Sequence, residues 1–126
     1  MPRHAEIQPM ADRFVDLELD PRRRMWVAMG HGRPLGFIDA VLEHPDARSC
    51  TIQQVAVSPS HRFRGVGRSM VVVLENAAIE AGIHQLLAFV LSRSAGDFWR
   101  AVGFDESRPR LFVRRLEAHA RTAPGA

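Results

Sequence analysis

The stretch from residue 55 to residue 69 constrains the fold most, because the period of its apolar residues changes within a few positions. Val55–Val57 ends an apolar run typical of a buried strand, whereas apolar side chains recur at helical spacing from Gly67 onward. Gly65 and Gly67 permit a tight turn between the two segments. The sequence therefore predicts a strand that passes through a short loop into a long helix.

This loop carries the features of an anion site. The first amides of a helix have no acceptor within it, and the helix dipole adds positive potential at the same end. The two glycines leave those amides open to a ligand. Three arginines crowd the point where the helix begins: Arg62, Arg64 and Arg68. We therefore predict that the loop binds a phosphate or a pyrophosphate.

Composition excludes several other kinds of phosphate-binding protein. The chain has no lysine, which removes a phosphate-loop NTPase and Schiff-base chemistry. Met70 occupies the place of the third glycine in a dinucleotide-binding fingerprint. The run Arg22–Arg24 has no interleaved aromatic residues and is more typical of a solvated turn than of a nucleic-acid contact. We expect no nucleic-acid partner.

Length and cysteine content indicate one cytoplasmic domain. A chain of 126 residues can bury a self-sufficient core, and its apolar runs are too short to span a membrane. No apolar signal segment follows Met1. Cys50 is the only cysteine, which excludes an internal disulfide and a multi-cysteine metal site. We expect neither a metal nor a membrane partner.

The order of predicted elements is three strands, a helix, a strand, a helix and two strands, which indicates a mixed sheet flanked by helices. Residues 1–24 are interpreted as a short irregular or helical segment, with a helix over Met10–Leu19 that ends near Pro21. Ser94 is expected to cap the second helix, and residues 117–126 are expected to fray. The remaining predicted elements are Met25–Met29, Leu35–Leu42, Cys50–Val57, the helix from Gly67 to Gly82, Gln85–Leu91, Ala95–Val102 and a final hairpin from Phe104 to Leu116.

Two motifs at the proper separation resemble the GNAT superfamily of acetyl-CoA-dependent N-acetyltransferases. Arg62–Gly67 fits the pyrophosphate signature Arg/Gln-x-x-Gly-x-Gly/Ala of that family, and Val55–Pro59 resembles the strand end before it. Phe98–Phe104 resembles the family's Phe-Tyr-x-x-x-Gly-Phe ending. The resemblance covers residues 25–116 and implies an α/β (α+β) fold with a mostly antiparallel mixed sheet and a shortened N-terminal part.

The resemblance also implies a coenzyme site and a reaction. The backbone of Val55–Val57 would pair with the pantetheine arm, and the Val55 amide would lie nearest the thioester carbonyl. An amine would attack the thioester of acetyl-CoA directly, and a backbone donor would stabilise the oxyanion. The residues implied in coenzyme binding are Val55, Ala56, Val57, Arg62, Phe63, Arg64, Gly65, Val66, Gly67, Arg68, Ser69, Ser92 and Trp99.

The proton-transfer residues of the family are not matched. Trp99 stands where the family has a phenol that protonates the leaving thiolate, and Ser92 stands where it often has an asparagine. Gln53 and Gln54 occupy the strand on which many relatives carry a carboxylate base. An amide cannot accept that proton. The candidates for a base elsewhere are Asp39, Glu43, His44 and His61.

Three functional interpretations follow. The first is an N-acetyltransferase that acts on a primary amine of a small molecule or of a protein. The second is a non-catalytic module that binds acyl-CoA as a sensor or partner, and the third, which the charge pattern favours least, is a nucleic-acid-binding domain. Few residues precede Trp26, so a second copy of the chain could complete the acceptor site as a homodimer.

Overall fold

The computed structural model describes residues 11–42, 48–62 and 65–116, which form a seven-stranded sheet with two helices against it. A short 3-10 turn, Pro59–His61, precedes the first helix. The strands are β1 (Arg13–Asp20), β2 (Arg23–Gly30), β3 (Arg33–Leu42), β4 (Ser49–Val57), β5 (Gln85–Phe89), β6 (Asp105–Arg108) and β7 (Leu111–Arg115), and the helices are α1 (Val66–Glu80) and α2 (Arg93–Ala101).

The helix predicted over Met10–Leu19 is wrong where the structure describes this segment. β1 is an antiparallel strand, and Val15 lies opposite Val27 of β2. The physical reason is visible in the sequence, because Val15, Leu17 and Leu19 alternate with acidic residues, and a period of two is the pattern of a strand. Met10 lies outside the described residues.

The sheet is mixed and mostly antiparallel. Its strand order is β1-β2-β3-β4-β5-β7-β6, and among these neighbours β4 and β5 are the parallel pair. This pair is short and runs from Ser49 opposite Gln85 to Ile52 opposite Ala88. Because α1 connects the two parallel strands, the chain passes from the C-terminal end of β4 through a short loop to the N-terminus of α1.

An irregularity in β4 lies at the end of this pairing. The register between β3 and β4 shifts between Asp39, which is opposite Gln54, and Ala40, which is opposite Ile52. One extra residue, Gln53, is therefore accommodated in β4, and a bulge of this kind bends a strand. Beyond Ile52 the strand stays paired to β3 but no longer to β5. The sheet consequently opens as a fork at its centre.

Both helices cover the same face of the sheet. Met70 of α1 approaches Gly36 of β3, and Phe112 of β7 approaches Gly96 of α2. Gly36 and Phe112 share this face, as the register from β3 to β7 shows. The buried core on this face includes Trp26, Ile38, Met70, Leu74, Phe104 and Phe112. The opposite face has no described helix.

Neither helix of the described chain is long and apolar enough to cross a membrane.

Candidate functional site

An open cleft of about 980 Å³ occupies the fork between β4 and β5. One wall is formed by residues 52–57 of β4, and the other by the end of β5 and residues 90–92 after it. The first turn of α1 closes one end, and α2 contributes Phe98 and Trp99. The cleft therefore lies between two strand edges and two helices, where the sequence predicted the anion loop.

The free edge of β4 presents alternate backbone groups to this cleft. The amide of Ser58 donates to the carbonyl of Leu35 at 2.7 Å and so points toward β3. Because backbone groups of successive residues in a strand point to opposite sides, the Ala56 groups also face β3. The N–H and C=O groups of Val55 and Val57 therefore face the open side. These groups can bond an extended ligand that lies along the strand.

The N-terminus of α1 supplies further donors. Gly65 adopts φ 86° and precedes the helix without a side-chain cap. A left-handed conformation of this kind favours glycine, as the sequence predicted. The first helical bond runs from the Ser69 amide to the Gly65 carbonyl, at 2.9 Å. The amides of Val66, Gly67 and Arg68 precede it and have no acceptor within the helix.

The arginines predicted to surround this point are not equivalent. Arg62 is exposed, lines the cleft and holds its Nε 3.4 Å from the carbonyl oxygen of Val57. Arg68 also lines the cleft, but its guanidinium donates to the carbonyl of Ala101 at 2.9 Å. Arg68 thereby joins the start of α1 to the end of α2. Phe63 and Arg64 lie outside the described residues.

Gly67 lines the cleft and also packs against α2. A Cβ at this position would lie 3.0 Å from Cε1 of Phe98, so the missing side chain makes room for α2. The Ser69 amide, predicted to hold the pyrophosphate, donates to the Gly65 carbonyl at 2.9 Å, and the Ser69 hydroxyl donates to the same oxygen at 2.9 Å. Ser69 is not among the residues that line the cleft.

Ser92, rather than Ser94, caps α2. The Ala95 amide donates to Ser92 Oγ at 3.2 Å, and α2 begins at Arg93 instead of Ala95. The prediction of a cap at Ser94 is therefore wrong by two residues. Ser92 and Trp99 both line the cleft, and the Trp99 ring is buried against Phe104 at a centroid distance of 4.8 Å.

The candidate bases are separated in the structure. Asp39 is buried, faces away from the helices and pairs with Arg23 at 2.8 Å. Its second carboxylate oxygen, Oδ1, is buried without a hydrogen-bond partner among the described residues. His61 lines the cleft, and its Nδ1 lies 3.1 Å from Ser60 Oγ. Glu43 and His44 lie outside the described residues.

Sequence reasoning missed the apolar lip of the cleft. Phe89 is 60% exposed and Leu91 is 94% exposed, and both line the opening. The signal was present, because Gln85–Leu91 was interpreted as a strand covered on both faces. β5 ends at Phe89, which leaves the apolar side chains at its end without cover.

None of the cleft-lining residues that the structure describes carries a carboxylate. Within the same described ranges, no group of three His, Cys, Asp or Glu side chains could hold a metal ion. The ionisable side chains of the described walls are His61, Arg62 and Arg68. The cleft therefore favours an anion at the α1 end.

Comparisons with known proteins agree with this geometry. A family model described as "Acetyltransferase (GNAT) family" matches residues 2–104. Aminoglycoside N(6')-acetyltransferase type 1 of Salmonella typhimurium is 24% identical over 122 residues, which are 90% of this chain and 83% of that protein.

Solved structures show the same fold. An acetyltransferase from Thermus thermophilus superposes with a TM-score of 0.63 at 31% identity, over 79% of this chain and 68% of that one. An aminoglycoside 6'-N-acetyltransferase complexed with coenzyme A gives a TM-score of 0.68 at 13% identity, over 79% of this chain and 76% of the other.

Proposed function

Because the chain belongs to the GNAT acetyltransferase family, we propose that it transfers an acetyl group from acetyl-CoA to a primary amine. The observation that carries this proposal is the fork in the sheet, whose open β4 edge leads to the unpaired amides at the start of α1. A thioester on an extended arm that ends in a pyrophosphate matches both parts of this cleft.

Each part of the cleft has its own share in coenzyme binding. The backbone groups of Val55 and Val57 bond the pantetheine arm, with Ala56 between them held by β3. The amides of residues 65–68 and the guanidinium of Arg62 bind the pyrophosphate. Arg68 acts by joining the two helices, and Ser92 and Trp99 line the wall opposite β4. The remaining loop residues assigned to coenzyme binding in this proposal are Phe63, Arg64 and Ser69.

The transfer is a direct attack. The amine nitrogen bonds to the thioester carbon, the C–S bond breaks, and the nitrogen loses one proton while the thiolate gains one. The Val55 amide stabilises the oxyanion, and one donor of this kind contributes about 3–4 kcal/mol. Trp99 cannot supply the proton, because an indole N–H is only a hydrogen-bond donor, so the thiolate takes its proton from water.

A second candidate is a non-catalytic acyl-CoA-binding module. It is favoured by the lack of carboxylates among the described cleft residues and by Trp99 in place of a phenol. Both candidates bind the coenzyme through the same groups. They differ in whether thiol is released when an amine is present.

Thermal unfolding tests coenzyme binding. Acetyl-CoA at one hundred times its Kd should stabilise the folded chain by about 2.7 kcal/mol. Arg62→Gln should weaken this effect, because the guanidinium near Val57 is lost, whereas Arg22→Gln, in an exposed turn, should not. No shift at millimolar acetyl-CoA would rule out both candidates.

Thiol release in the presence of amines then separates the two candidates. Release that depends on an amine, with the acetylated amine as product, supports the transferase. A thermal shift without release for any amine supports the binding module instead.

The acceptor of this chain can differ from that of the aminoglycoside acetyltransferases named above. An aminoglycoside carries several ammonium groups, and a buried ammonium needs a carboxylate partner. The described walls of the cleft offer none. An aminoglycoside is therefore not the acceptor we favour for this chain.

Compartment and assembly complete the proposal. A single buried Cys50 suits a reducing cytoplasm. A homodimer would cover the face of the sheet that has no described helix, and light scattering on the purified chain measures its mass directly.

A further inference from the structure

Two exposed apolar side chains stand together at the opening of the cleft. The described chain has five exposed large hydrophobic residues, and Phe89 and Leu91 are the two among them that line the cleft. Isolated exposed apolar residues are common, whereas neighbouring ones at the rim of a cleft indicate a binding surface.

Strand register places Phe89 on the face of the sheet that has no described helix. Phe89 is opposite Leu111 in β7, and Gln54 is opposite Asp39 in β3. Phe89 and Gln54 alternate along their strands with residues that face the helices. Both side chains therefore lie on the face of the sheet without a described helix. The anion-binding end of the cleft is at α1, on the other face. An acceptor that meets the thioester from the open side therefore passes Gln54 and Phe89.

The charges near this lip do not suit an ammonium group. Gln53 and Gln54 are neutral, and Asp39 on β3, whose Oδ2 pairs with Arg23 at 2.8 Å, is not among the residues that line the cleft. The ionisable side chains of the described cleft walls come from the loop and α1, and they include the guanidinium cations of Arg62 and Arg68 but no carboxylate. Desolvation and neighbouring positive charge both favour the neutral form of an amine.

We propose that the acceptor is a lipophilic monoamine that binds as the free base, with its apolar group against Phe89 and Leu91. This inference rests on the proposed acetyl transfer and names the class of its second substrate. The neutral nitrogen attacks the acetyl carbon, the sulfur leaves, and the proton lost by nitrogen is balanced by the proton that the thiolate takes from water. The products are one amide and one free thiol.

Steady-state thiol release by the full chain tests the acceptor class. At saturating acetyl-CoA, kcat/KM for 2-phenylethylamine should exceed that for ethanolamine by about tenfold or more, because only the former buries an apolar group. Spermine and an aminoglycoside should be poor acceptors. Equal or higher kcat/KM for these polar or polycationic amines would overturn the proposal and leave acetyl transfer itself intact.

Substitution of the lip tests the assigned side chains. Phe89→Ser and Leu91→Ser should each raise KM for 2-phenylethylamine by about fivefold to tenfold. Both variants should still show a thermal shift with acetyl-CoA, which also shows that they are folded. The matched control is Val72→Ser, which removes a 47% exposed apolar side chain from α1 away from the cleft.

Two results would contradict the assignment of the lip. Unchanged selectivity among amines in both lip variants would show that the side chains do not contact the acceptor. A wild-type dimer that Leu91→Ser converts to a monomer would assign them to an interface between copies.

The pH dependence tests the free-base form. kcat/KM should rise with pH up to the pKa of the amine itself, and the inflection should move when a less basic lipophilic amine is used. An inflection that stays at one pH for every amine would identify a protein base and overturn this part. A thermal shift with acetyl-CoA but no turnover of any amine would instead overturn acetyl transfer and, with it, the acceptor.

Discussion

Gly36 lies on β3 opposite Val57 of β4. A Cβ there would overlap the carbonyl oxygen of Ala56 and would lie 3.2 Å from Cα of Val57. Both are backbone atoms, so the strand itself would have to move. At the scale of one residue, this glycine keeps β4 in the position from which its other edge faces the cleft.

Gly36→Ala should therefore destabilise the protein by about 2–3 kcal/mol, as overpacking in a tight site does. The comparison is Gly32→Ala, whose added methyl meets no atom within 4 Å and only opposes φ 74°. Its cost should be about 1 kcal/mol. Urea denaturation measures the free energy of unfolding of both variants. Equal losses of that free energy would show that β3 and β4 can move apart to accommodate the methyl group.

The residue scale also shows where sequence reasoning was limited. The turn at Gly65 follows from local chemistry, and the sequence predicted it. Gly67 faces Phe98, which is 31 positions further along the chain, and Arg68 bonds Ala101. No local pattern reveals such distant contacts, so the sequence predicted only a ligand role for these residues and not their part in the packing of α1 on α2.

At the scale of elements, the start of α2 depends on one hydroxyl. Ser92 Oγ accepts from the Ala95 amide, whereas Ser94 Oγ lies 3.4 Å from Ser92 Oγ and caps nothing in the described chain. Ser92→Ala should lower the free energy of unfolding by about 1 kcal/mol. Ser94→Ala is the matched control and should change it by less than half as much. A larger loss of unfolding free energy in the control would show that Ser94 is the cap of α2.

The open edge of β4 makes a second prediction at this scale. In hydrogen exchange, the Val55 and Val57 amides should exchange quickly in the free protein and slow when acetyl-CoA binds. The Ala56 amide should be slow in both states, because it faces β3. Equal protection of all three amides on binding would place the coenzyme elsewhere.

The order of elements from β2 onward was predictable because α1 and the hairpins have clear periods. β1 was not recognised, since Pro21 suggested a helix end and outweighed the alternation of Val15, Leu17 and Leu19. The bulge at Gln53 was also beyond the sequence. It depends on the register between β3 and β4, which only the packed sheet determines.

At the scale of the whole molecule, the sheet consists of two halves joined by a short parallel ladder and by the helices. Arg114 of β7 forms an ion pair with Glu75 of α1. This ion pair links the half of the sheet formed by β5, β7 and β6 to the helix.

Glu75→Gln should reduce the free energy of unfolding by about 1–2 kcal/mol, because Glu75 is mostly buried and Arg114 loses its partner. Asp97→Asn breaks an exposed pair with Arg100 and should cost less than about 0.5 kcal/mol. Chemical denaturation of both variants decides this. Equal losses of unfolding free energy in the two variants would mean that α1 holds β5, β7 and β6 in place without the ion pair.

The fork has one further consequence, for solubility. Unpaired strand edges normally invite pairing with another chain and so promote aggregation. Here the unpaired edges of β4 and β5 face each other in the middle of one sheet, with further strands on both sides. The protein can therefore offer bare backbone to a small extended molecule while the edge of a foreign sheet is kept away.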